Sequence, residues 1–233
     1  MSQTIVDAIV ELYRICAMTP PIQEDRVVLL NELLGGYNLT CIELVGLTSE
    51  NASRFLMRGG AILEPIQSAN QEPLAGYIYV DSRNGYIFVE RDDLFVRRRF
   101  SVAHELGHYV LHFYSLIRSE TLKDQYETIE ITEALAPFST EEDTDDLPNG
   151  RVVHAPHLHL PPYQQMEDEA NRFAAELLMP TETVQYLFTR YTPSCRGDDL
   201  IWRLATEMLV SRAAMRRRLR DLHLLPLVAA QWN

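Results

Sequence analysis

The chemistry in this chain concentrates at His104, Glu105, Leu106, Gly107 and His108. On an α-helix, positions four apart share a face, so both imidazoles can reach one ion at about 2.0–2.1 Å while the intervening Glu105 points roughly 100° away. Two histidines so placed form the first half of a hydrolytic zinc site, and the free carboxylate is positioned to take a proton from a water that the metal activates. The element needed to hold them is legible too. Phe100, Ala103, Gly107, Val110 and Leu111 recur at helical spacing, which predicts a half-buried amphipathic helix over residues 94–114. Gly107, one residue before the second histidine, leaves room for backbone or substrate to come close. The plainer reading is two core histidines satisfied by ordinary hydrogen bonds, and a second motif weighs against it.

A hydrolytic zinc site requires a third protein ligand and one open position. Residues 164–180, QQMEDEANRFAAELLMP, predict another helix, with Met166, Ala170, Phe173, Ala174, Leu177 and Leu178 as its apolar stripe and Pro180 as its stop. Two carboxylates compete for the ligand role. Glu167 shares the stripe with Ala170, Asn171 and Ala174, so a helix packed on the first would aim it inward, whereas Glu169 projects to the side. Glu167 is the choice and Glu169 the reserve. Asn171 is expected in the second shell, bonded to the far nitrogen of a ligating histidine and fixing its tautomer.

The two stretches RRRFSVAHELGHYVLH and EDEANRFAAELLMP, taken together, resemble the ImmA/IrrE-type zinc metallopeptidases of bacteria and their mobile elements. The likeness extends over GYIYVDSRNGYIFVE and LATEMLVSRAAMRRRLRDL, roughly residues 75–115 and 164–224. It implies a gluzincin-like enzyme with Zn2+ on His104, His108 and Glu167 and with Glu105 as general base. It further implies a protein substrate, a helix-turn-helix transcriptional repressor, whose cleavage releases phage, mobile-element or stress-response genes. That substrate rests on the resemblance alone.

The chain departs from the compact pattern of that family between the motifs, where 58 residues separate His108 from Glu167. Residues 118–163 read as an insertion. Its acidic run, Glu141, Glu142, Asp143, Thr144, Asp145 and Asp146, followed by Pro148, Asn149 and Gly150, has too little apolar surface to pack and is expected to move. A lid, a docking strip for a basic partner and a solvated loop without chemistry are all open readings. Within the insertion, His154, His157 and His159 form a cluster, and they or Tyr163 are candidates for stabilising an oxyanion or touching substrate. His112, one turn beyond the motif, is expected at the rim of the site, since a fourth protein ligand would leave no place for water.

Composition sets outer limits. A chain of 233 residues with 46% hydrophobic content can bury a real core and fits one metallopeptidase-like domain. The net charge of −12 argues against wide nucleic-acid contact. Cys16, Cys41 and Cys195 are odd in number and far apart, so they read as free thiols in a reducing compartment. Asp7 and Glu11 interrupt the first apolar stretch, which does not suit a secretion leader, and no run of about 18 apolar residues exists to span a membrane. A cytoplasmic protein is expected.

The elements divide the chain into two N-terminal helices (1–36), a sheet region (37–93), the motif helix (94–115), the insertion and a helical end (164–233). Ile5, Ile9, Leu12 and Cys16 make one stripe, and residues 27–34 continue as a second helix closed by Gly35 and Gly36. Composition turns β-like at 39–45 and again at 54–66, and 76–80 with 86–89 flank Asn84-Gly85, a hairpin signal. The class expected is α+β: a small, mainly antiparallel sheet flanking the active-site helix, a surrounding helical bundle and a C-terminal helical hairpin. An edge of that sheet could take an extended peptide as an added strand.

That hairpin supplies the rival reading. Residues 198–209 and 212–222 predict two helices with Ser211 as N-cap, an arrangement resembling a helix-turn-helix, and Arg212, Arg216, Arg217, Arg218 and Arg220 make the second one basic. A DNA-binding or protein-binding regulator that keeps a zinc site without proteolysis is the alternative function. Met215, Leu219 and Leu222 take one face for packing, which favours a solvated basic face of the fold over direct DNA contact.

Overall fold

The computed structural model describes residues 4–20, 27–61, 72–80, 85–115, 129–134, 151–153 and 160–225, with backbone alone for 129–134 and 151–153. Helix α1 (Ile5–Ile15) opens with a capping box: the Thr4 hydroxyl accepts from the Asp7 backbone N–H at 3.2 Å, and the Asp7 carboxylate accepts from that of Thr4 at 3.3 Å. Its inner face carries Ala8 and Leu12, fully buried. Helix α2 (Leu30–Gly36) starts later than its pattern suggests and takes both glycines into its last turn. Gly36 lies so close to Cys16 that a Cβ there would overlap the sulfur, so α1 and α2 touch where a side chain would hold them apart.

Strand β1 (Leu39–Leu44) leads to α3 (Ser49–Arg58), then β2 (Leu74–Val80) and β3 (Gly85–Glu90). The β-like reading of 54–66 is corrected here for residues 54–58, which are helical. Thr48 caps α3 by accepting from the Asn51 N–H at 3.1 Å, and Ala52 and Leu56, one turn apart, are the positions that pack. Residues 62–66, like the turn at Asn84, lie outside the described residues. The buried Glu90 carboxylate accepts from the N–H groups of Gly46, Leu47 and Asp92, which pins the β1–α3 connection to the end of β3.

The sheet has the order β1-β3-β2-β4-β5, with β4 (Ile129–Ala134) and β5 (Arg151–Val153) contributed from within the segment read as an insertion. The β1–β3 pairing is parallel and the other three are antiparallel, so the sheet is mainly antiparallel as expected. Strand alternation sorts the core. Ile78, Val80, Ile87 and Val89 face a large cluster with the main helices, while Tyr77, Tyr79 and Phe88 face a smaller one with Leu47, Ala52 and Leu56. The centre of the sheet is therefore covered on both sides.

Against the larger cluster lies α4 (Phe95–His108), continued by a π-helical turn (Tyr109–Phe113), and along it packs α5 (Tyr163–Leu178). Helices α6 (Thr181–Tyr191), α7 (Gly197–Met208) and α8 (Arg212–Asp221) close the chain. Among the described residues no helix is long and apolar enough to cross a membrane. The class is α+β.

Candidate metal centre

The last two turns of α4 are buried on every side: Ser101, Val102, Ala103, His104, Glu105, Leu106, Gly107 and His108 all lie in the interior. Two buried imidazoles, His104 and His108, would not be tolerated there without partners. The partners come from α5. Met166, Ala170, Phe173, Ala174 and Leu177 are its buried stripe, and Glu167 sits on the edge of that stripe facing α4. Gly107 lets the two helices close. A Cβ at this position would stand 3.0 Å from the Phe173 ring and 3.2 Å from Ala170 Cα, so the close approach left open by the sequence is made by the backbone of α5.

Three donor atoms converge at this crossing. His104 Nε2 and His108 Nε2 are 3.0 Å apart, Glu167 Oε1 lies 3.1 Å from His108 Nε2, and Glu167 Oε2 lies 3.3 Å from His104 Nε2. Ligands at tetrahedral angles around one Zn2+ stand about 3.3 Å apart. The cluster is the one group of three among the described residues whose ligand atoms gather within 4.8 Å, and all three members are buried.

The surrounding hydrogen bonds orient the lone pairs inward. His104 Nδ1 lies 3.1 Å from Asn171 Oδ1, an acceptor, so the ring proton sits on Nδ1 and Nε2 presents its lone pair to the cluster. This is the place expected for Asn171. His108 Nδ1 is buried and lacks a hydrogen-bond partner among the described residues. If the two Nε2 atoms bonded each other, one ring would have to spend its only proton there, whereas a cation takes both lone pairs and the carboxylate at once. The donor set therefore fits a borderline divalent metal such as Zn2+.

Electrostatics agree with that protonation state. Burial lowers the pKa of His108 to about 4, helped by the neighbouring histidines and opposed by Glu167. Burial also pushes the Glu167 carboxyl up, but the two imidazoles against it outweigh burial and hold it below the ordinary carboxylate range. Neutral imidazoles and an ionised carboxylate are the forms that ligate a metal.

Glu105 is fully buried within the same helical turns. Glu169, the reserve ligand, is elsewhere: its Oε2 accepts from His112 Nε2 at 2.9 Å and its Oε1 from Gln165 at 2.9 Å. Burial lowers the His112 pKa, with Glu169 opposing. His112 thus closes the rim by tying the π-helical turn to α5, a role that the sequence offered only as proximity. Tyr163, half-buried, is the first residue of α5, one turn before Glu167. His154, His157 and His159 lie outside the described residues, as does the acidic run at 141–146.

The chain is similar to the peptidase family described as the IrrE N-terminal-like domain, whose profile matches residues 66–135 and 150–220, more than half of the chain. The matched stretches contain His104, Glu105, His108 and Glu167, and the match breaks off over 136–149, where the acidic run lies. No curated protein matches the chain.

Proposed function

We propose that this chain, which belongs to the peptidase family of the IrrE N-terminal-like domain, is a zinc-dependent metallopeptidase that cleaves a helix-turn-helix repressor or a similar regulatory protein. The observation that carries the reading is the convergence of His104 Nε2, His108 Nε2 and the Glu167 carboxylate within 3.0–3.3 Å, from two helices, in the interior. Zinc held by these three would supply the Lewis acidity that makes water acidic near pH 7 and polarises a peptide carbonyl.

The chain's own groups do the rest. His104 is held by Asn171 in the tautomer that ligates, and Glu167 offsets part of the metal's charge. Glu105, on the same helix with no share in the three-atom cluster, takes a proton from the attacking water on its carboxylate and passes it to the leaving amine nitrogen. The three-donor set leaves a coordination position for substrate or water, as hydrolytic zinc sites require. The choice of a repressor as substrate is supported by the family resemblance of the two motif segments.

The experiment is incubation of the purified, zinc-loaded protein with purified helix-turn-helix repressors, any encoded beside it included, with and without chelator. The expected result is cleavage of the repressor that stops on chelation and returns with Zn2+. An intact repressor with the zinc-loaded protein would remove the substrate, and metal-independent cleavage would remove the mechanism.

A further inference from the structure

We propose that the outward face of α8 is a docking surface for duplex DNA. The charge of the chain is unevenly divided. Residues 181–225 carry eight arginines and no lysine against five Asp and Glu, a balance of +3, so the remainder of the chain, with its total of −12, stands at −15. The excess is concentrated on one short helix.

The turn from α7 to α8 spans only residues 209–211. Leu209 holds φ 51°, a left-handed turn that ends α7, and the Ser211 hydroxyl caps α8 by accepting from the Ala214 N–H at 3.0 Å. Leu204, Ala205, Met208, Val210, Met215 and Leu219 are buried between the two helices and the domain. Arg218 is the one arginine of α8 turned inward, where it donates to Glu176, Thr181 and the Met179 carbonyl. Packing therefore takes one face and leaves the other to cations. Arg212, Ala213 and Arg217 are exposed, and Arg216 and Arg220 flank them, half-buried. Arg216 meets Asp198 at 3.0 Å in an exposed pair that costs little to exchange for a phosphate.

A ten-residue helix is about 15 Å long and its cylinder suits the major groove of B-form DNA. The basic positions lie in the turns after the N-cap, where the second helix of such a pair meets phosphates and base edges, and the small Ala213 between them permits close approach. A convex cationic rod matches the concave anionic groove of a duplex, whereas an acidic protein would have to present a groove of its own. The acidic bulk does not forbid contact, because beyond about 8 Å it is screened at physiological salt. This surface involves neither the metal cluster nor peptidase activity and stands independently of them.

The test is fluorescence anisotropy of the intact, zinc-loaded protein with a labelled mixed-sequence duplex about three helical turns long, from about 50 to 200 mM salt. Four arginine contacts to phosphate give a slope of log K against log salt of about −3.6. The double substitution Arg212→Ala with Arg217→Ala should make that slope shallower by about 2, with zinc content and melting temperature unchanged, while the Arg→Lys pair keeps the affinity within a few fold. Chelation should leave duplex binding intact. Lack of binding at the lowest salt, indifference to the double alanine substitution, or equal displacement by a poly-glutamate peptide of matching charge would each overturn the proposal.

Discussion

Glu105, Glu167 and Glu169 lie on or beside the same helix crossing and have three different neighbourhoods, so single substitutions should separate them. Glu105→Gln keeps the shape and loses the proton acceptor; peptidase assays should show a fall of at least about 10²-fold while zinc content stays near one per chain. Glu167→Ala removes a donor that touches both imidazoles, and metal analysis should show zinc lost. Glu169→Ala breaks the bonds to His112 and Gln165, neither of them a member of the cluster, and should leave zinc bound. In sequence these two glutamates differ by their angle on the helix and by Asn171 one turn after Glu167; the distances to the imidazoles separate them. Acid acts on the same residues. In the metal-free protein the folded chain holds His108 at about 4, below the ordinary 6.5, so the unfolded chain takes up a proton first as pH falls. The metal-free protein should therefore lose stability between pH 6.5 and about 4, on the order of 3 kcal/mol, read as a falling melting temperature. Glu167, whose folded pKa is depressed, adds a loss of the same sign below pH 4.5.

Between α4 and α5 the controlling position is Gly107. Alanine there gains about 1 kcal/mol of helix propensity and is opposed by contacts that must open by a few tenths of an ångström; valine adds two branches with no space to receive them. Gly107→Val should lower the melting temperature and weaken zinc binding together, because α5 carries Glu167. At the other end of α5, Arg218→Ala would strip the cation from Glu176 and from the Met179 carbonyl. The expected cost is about 3 kcal/mol, or a fall of roughly 10 °C by calorimetry. The motif helix and α5 were legible because their apolar residues keep a clear 3.6 period. Helix α3 was not: Phe55, Leu56 and Met57 form a continuous apolar run that hides the period, and the available signal was the Thr48 cap. Helix α6 was missed for another reason. Pro180 reads as a stop for α5, yet it also serves as the N-cap position of the next helix, where the missing N–H costs nothing. The parallel pairing of β1 with β3 is non-local and has no signature in either strand.

At the scale of the molecule, the sheet holds α4 from one side and α5 holds it from the other, so the cluster sits where both supports meet. Metal binding should then feed into global stability. With free zinc at 1,000 times its dissociation constant, linkage contributes about 4 kcal/mol, and chelation should lower the melting temperature accordingly. The class and the two helices that bring His104, His108 and Glu167 together could be read from sequence because each depends on local period and spacing. The contribution of 129–134 and 151–153 to the sheet could not, since short strands inside a long acidic stretch carry no distinctive pattern. The central claim is that two imidazoles and one carboxylate hold a single divalent cation with a position left open. Its most direct test is an anomalous difference map, recorded at the zinc absorption edge, from crystals grown with Zn2+. The expected result is one peak about 2.0–2.1 Å from His104 Nε2, His108 Nε2 and a Glu167 oxygen, with no fourth protein atom in contact. A map without a peak there, or a peak closed off by a fourth side chain, would contradict it.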